Sequence, residues 1–100
     1  MMNENIIKIC DQLGNNKILV ALSCKRLIDN DRQSVILADV KSVRRKKTNY
    51  IKIVAIDDNK VILKFYKVVY KKSLEILDEF EVEYEKIPQI IEENTGIDIS

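Results

Sequence analysis

Tyr50 to Ile56 and Val61 to Tyr70 form two arms dominated by β-branched and aromatic residues, joined by Asp57-Asp58-Asn59-Lys60. That pattern specifies an antiparallel hairpin: branched and aromatic side chains suit a pleated strand, while Asp and Asn tolerate tight-turn backbone. Alternation places Ile51, Ile53 and Ala55 on one face with Val61, Leu63 and Phe65. Lys64 and Lys67 are three residues apart instead of two, which predicts a bulge or bend in the second arm near Tyr66.

Helical spacing of Ile6, Ile9, Cys10 and Leu13, followed by Gly14, predicts a short N-terminal helix over residues 3–13. From Lys17 to Lys25, Ile18, Val20, Leu22 and Cys24 alternate with the intervening residues, which reads as a strand. A polar loop, Asp29 to Gln33, separates it from a further apolar segment, Ser34 to Val43. Near the C-terminus Leu77, Phe80, Tyr84, Ile87 and Ile91 follow a 3-4-3-4 spacing with Leu74 before them, so residues 73–94 are expected to form an amphipathic helix with one apolar seam. Pro88 lacks a donor and clashes with the preceding turn, so the helix should kink or restart there and end near Asn94-Thr95-Gly96.

Charge is unevenly distributed. Residues 1–72 hold sixteen Lys/Arg and seven Asp/Glu, whereas residues 73–100 hold one Lys and nine Asp/Glu, so a net charge of +1 conceals two opposed regions. On a helix, Glu75/Glu79, Glu79/Glu83 and Glu81/Glu85 would be like charges one turn apart, which calls for compensating cations nearby. The densest basic run is Lys41, Arg44, Arg45, Lys46 and Lys47, followed by Tyr50 and Lys52; these seven residues are the candidate anion- or partner-binding set.

Catalytic constellations are missing. Without histidine no Ser-His or Cys-His pair can be assembled, and two glycines cannot build a phosphate-cradling loop. Asp29-Asn30-Asp31 opens like a calcium loop, yet its sixth position is Ser34 and its twelfth is Val40. Cys10 and Cys24 lie on separate apolar segments and are expected to be free thiols. No catalytic residue, cofactor or metal is therefore expected. A chain of 100 residues, 46% hydrophobic, has the size and composition of a single domain over residues 1–100. Its longest apolar run, Ile18 to Leu22, is too short to cross a bilayer, and no secretory signal is recognisable, so a cytoplasmic location is expected.

Leu22-Ser23-Cys24-Lys25-Arg26-Leu27-Ile28, a short loop and then Val35-Ile36-Leu37-Ala38-Asp39-Val40-Lys41-Ser42-Val43 resemble the prokaryotic PH-like and GRAM-like domains, in which a K-R-L-I type element ends one strand and an A-D-I-K-S-V type element follows. The resemblance spans residues 17–94. It implies an α+β fold, an antiparallel sheet or partly closed barrel closed by a C-terminal helix, acting as an adaptor for protein or membrane-associated partners. The residue pattern also fits a winged helix, with helices over residues 17–28 and 34–46, the 50–70 hairpin as wing and a C-terminal dimerisation helix. The first arrangement implies a non-catalytic module for a protein partner or anionic surface. The second implies nucleic-acid binding through residues 41–47, and the seam admits a homodimer in either case.

Overall fold

The computed structural model describes residues 3–14, 16–41, 48–69 and 73–97. Two helices come first, α1 (Glu4–Gln12) and α2 (Asn16–Leu22). Five strands follow, β1 (Lys25–Asp29), β2 (Ser34–Ala38), β3 (Tyr50–Ala55), β4 (Lys60–Val69) and β5 (Ser73–Glu83), then a 3-10 turn (Tyr84–Lys86) and α3 (Ile87–Thr95). The fold is α+β. The strands form one antiparallel meander in the order β1-β2-β3-β4-β5, so β1 and β5 are its opposite edges and the sheet is open.

Helix α1 begins where expected, with the Asn3 side chain accepting the Asn5 N–H at 2.8 Å as an N-cap. It buries Ile6, Ile9 and Cys10. Gly14 follows at φ 69°, a left-handed turn that leads into α2.

Residues 17–22, expected to be extended, belong instead to α2. Only Ile18 and Leu22, four residues apart, are fully buried, while Val20 is 79% exposed. Five consecutive apolar residues satisfy both periods, and burial against the sheet selects the helical one. The winged-helix arrangement is overturned at Ser34–Ala38, which form β2 between β1 and β3.

A second correction concerns residues 73–94. Ser73–Glu83 form β5, paired along the whole length of β4, and only Ile87–Thr95 are α-helical. Phe80 and Val82 pack inward while Glu79, Glu81 and Glu83 are exposed, a period-two pattern within the same residues that carry the 3-4 spacing. The ten-residue arm β4 offers a row of backbone partners, and that pairing outweighs the modest helix preference of Leu and Glu. Pro88 lies in the first turn of α3, and Gly96 closes it at φ 75°, its N–H bonded to Glu92 O at 2.8 Å.

A register shift lies beside Tyr66, but the expected bulge in the second arm is not there. Phe65 pairs with Asp78 and Tyr66 with Ile76, so the extra residue is Leu77, on β5 rather than on β4.

All three helices lie on one face of the sheet. Their side chains Ile6, Ile9, Ile18, Leu22, Ile87 and Ile91 form one core with Val35, Leu37, Ile51, Ile53, Val61, Leu63 and Phe65. Phe65 and Phe80 meet edge-to-face, 5.9 Å between centroids. The expected seam is therefore divided. Tyr84, Ile87 and Ile91 are buried in the chain's own core, Phe80 packs against it, and Leu77 is half-buried in the bulge. The backbone of Leu74 pairs with Val68.

Candidate functional site

With the helices on one side, the other face of the sheet has no covering layer among the described residues. Strand alternation assigns its side chains. In β3, Ile51 and Ile53 point into the core, so Tyr50, Lys52 and Val54 occupy the open face. Register carries the assignment outward: Lys25, Ala38, Tyr50, Tyr66 and Ile76 form one cross-strand row, and Leu27, Ile36, Lys52, Lys64 and Glu79 form the next.

Tyr50 and Tyr66 stand directly opposite one another, with centroids 5.7 Å apart and planes at 80°. Beside them Lys52 faces Lys64, and two like charges directly opposite are unfavourable unless something anionic lies near. Lys64 has such a partner, Glu79 Oε1 at 3.8 Å, and Lys60 lies 4.0 Å from Glu81. Among the described residues Lys52 has no ion-pair partner. Glu79 and Glu81 of β5 thus find compensating cations one strand away on β4. Leu27, 55% exposed, and Ile76, 61% exposed, add apolar surface to the same face.

The bulge accounts for Ile76. In an unbroken ladder Tyr66 would meet Leu77; skipping Leu77 places Ile76 beside the tyrosine pair.

The strand ends near Tyr50 and Tyr66 are fastened by side chains. Asn49 accepts the Val68 N–H at 2.7 Å and donates its amide to Val68 O at 3.3 Å. Thr48, buried, donates its hydroxyl to Tyr66 O at 2.9 Å. On the β2 side, Val40 N–H donates to Asn49 O and Lys41 N–H to Leu22 O, both at 3.0 Å. Residues 40–41 and 48–49, on either side of the basic run, are thereby fastened. Lys41 is exposed, while Arg44, Arg45, Lys46 and Lys47 lie outside the described residues. Of the seven candidate residues, the structure brings Tyr50 and Lys52 together on one face. The hairpin register adds Tyr66 and Lys64, which the candidate set lacked; pairing outward from the Asp57–Lys60 turn was the signal that could have found them.

At the opposite end of the sheet an open cleft of about 580 Å³ is lined by Lys8, Asp11, Asp58, Lys60, Tyr84 and Glu85, among others. Several of its groups make contacts around the hairpin turn. Tyr84 donates its hydroxyl to Asp57 O at 2.8 Å, and burial, followed by the charges of Asp58 and Asp57, raises its pKa. Lys8 Nζ donates to Asp58 O at 3.1 Å and sits 5.6 Å from the Tyr84 ring centroid. Asp57 is held below the usual carboxylate range by the N–H groups of Asn59, at 2.7 Å, and Lys60, at 2.8 Å. These groups tie the hairpin turn to α1, through Lys8, and to the 3-10 turn, through Tyr84. Cys10 is buried and Cys24 half-buried; both are free thiols, pushed up in pKa chiefly by burial.

No helix among the described residues is long and apolar enough to cross a membrane. Compared with protein-family models, curated proteins and solved structures, the chain matches none.

Proposed function

We propose that this chain is a non-catalytic interaction domain that docks an acidic protein partner on the open face of its sheet, in the cytoplasm. The observation that carries the reading is the Tyr50–Tyr66 pair next to Lys52 and Lys64 on a face that no helix covers among the described residues. Tyrosines offer large, rigid contact area at little entropic cost, and Lys52 beside them, without an ion-pair partner among the described residues, favours carboxylates. The adaptor role implied by the PH-like resemblance agrees with this reading. Its K-R-L-I element coincides with residues of β1, and Ala38, which opens the second element, ends β2.

Amide chemical-shift mapping with a synthetic Asp/Glu-rich peptide carrying aromatic anchors is the test. Shifts are expected at Tyr50, Lys52, Lys64 and Tyr66, and Lys52→Glu or Tyr66→Ala should weaken binding about ten-fold. Shifts confined to the helical layer would refute the reading.

A second reading rests on the same tyrosines, since aromatic rings beside cations also stack unpaired bases. Single-stranded nucleic acid would then bind with an affinity that falls steeply as salt rises. Absence of binding to oligo(dT) at low salt removes it.

A further inference from the structure

The free edge of β1 is self-complementary. Ala55 N–H donates to Gln33 O at 2.9 Å, so the odd-numbered residues of β2 direct their backbone groups toward β3. Ser34, Ile36 and Ala38 must then direct theirs toward β1, where they meet Asp29, Leu27 and Lys25. What remains are the N–H and C=O groups of Arg26 and Ile28, which point away from the sheet. Among the described residues no hydrogen bond reaches them from that side.

A second copy of β1, antiparallel and related by a two-fold axis through Leu27, would satisfy all of these groups. Arg26 of one copy and Ile28 of the other become a hydrogen-bonded pair, twice over, and the two Leu27 side chains meet at the axis in a non-hydrogen-bonded pair, where side chains approach most closely. Lys25 then stands opposite Asp29 of the other copy on both sides of the axis. Within the strand no neighbouring register does this: centring on Arg26 opposes two guanidinium groups, and centring on Ile28 carries the position opposite Lys25 out of β1 to Asp31, in the turn that follows. Leu27 is 55% exposed in the single chain, the exposure this contact would remove. The existing pairs of Lys25 with Asp39, at 3.8 Å, and of Asp29 with Arg32, at 3.9 Å, are surface contacts with a worth close to zero, so they can be exchanged.

We propose that two copies of this chain associate through their β1 edges into one continuous ten-stranded sheet. The assembly is isologous and closed, as two-fold contacts are. It is independent of what the open face binds, and it would set two such faces side by side.

Sedimentation velocity and light scattering over a concentration series of the full chain test this. The expected result is a monomer–dimer equilibrium. Lys25→Asp and Asp29→Lys should each raise the dissociation constant about ten-fold, because each turns two attractive pairs into repulsive ones. Mixed in equal amounts, the two variants should form a heterodimer near wild-type strength, since each repulsive position in one faces the opposite charge in the other. Arg26→Pro removes an outward donor while sparing the bonds to β2, and should be monomeric with an unchanged circular dichroism spectrum. If Asp29→Lys fails to fold, Lys25→Asp and Arg26→Pro decide the matter alone. A wild-type chain that stays monomeric at millimolar concentration overturns the proposal, as do folded variants that dimerise like wild type.

Discussion

The side chain of Asn49 serves Val68 as a neighbouring strand would, accepting its N–H at 2.7 Å and donating to its carbonyl at 3.3 Å. The β3–β4 ladder is thereby extended past Tyr50 by an amide that is not backbone. Asn49→Ala should cost about 1–2 kcal/mol in urea unfolding, since both groups of Val68 lose a partner. Asn49→Asp keeps the acceptor and loses the donor, so its loss should be smaller.

Tyr84→Phe removes the bond to Asp57 O and should cost about 1 kcal/mol at pH 7. The folded-state pKa of Tyr84 is raised, so the neutral phenol's contribution is complete below the free-phenol value of about 10 and is lost as pH climbs through the folded value. Urea titrations from pH 7 to strongly alkaline conditions should show wild type losing its advantage over the variant. A gap that is constant with pH would contradict the assignment.

Asp57 has the opposite sign. Its pKa is lowered, first by the Asn59 N–H and then by that of Lys60, so its contribution is present above the unfolded carboxylate value of about 3.9 and disappears as pH falls through the folded one. Asp57→Asn retains an oxygen acceptor without the titration. Thermal midpoints should favour wild type near neutrality and converge with the variant in strong acid.

Lys64→Ala should change stability by well under 1 kcal/mol, because the pair with Glu79 is a surface contact at 3.8 Å. Leu63→Ala, one residue away and fully buried, should cost about 2–5 kcal/mol. Chemical denaturation of both variants checks the contrast. Comparable losses would mean that Lys64 does more than line the open face.

How much of this was legible in the sequence depends on whether local pattern or distant pairing decides each element. The β3–β4 hairpin, α1, the start of α3 at Pro88 and its end at Gly96 are set by turn residues, caps and a ring that cannot donate, all of which act within a few residues. The spacing of Lys64 and Lys67 misled as to the strand: β4 is continuous there, and the extra residue is Leu77 on β5, which the spacing of β4 lysines could not indicate. Residues 17–22 and 73–83 did not reveal themselves. Ile18 to Leu22 satisfy either period, and Leu77, Phe80 and Tyr84 imitate a helical stripe although Phe80 and Val82 follow the pleat. Their states depend on the sheet above α2 and on the length of β4, which no local window contains. Tyr50 and Lys52 were visible as candidates because they neighbour the basic run, whereas Tyr66 and Lys64 become their companions only through cross-strand register.

Leu77 makes β5 one residue longer than the ladder it serves. Excising Leu77 would leave Tyr66 opposite Ile76 and Phe65 opposite Asp78, with no other side chain changing sides. Excising Glu79 instead would throw one stretch of the strand out of phase, turning carboxylates toward the helices or Phe80 toward water. The strand therefore holds one dispensable position, and length variation in this region can be absorbed there without rewriting either surface.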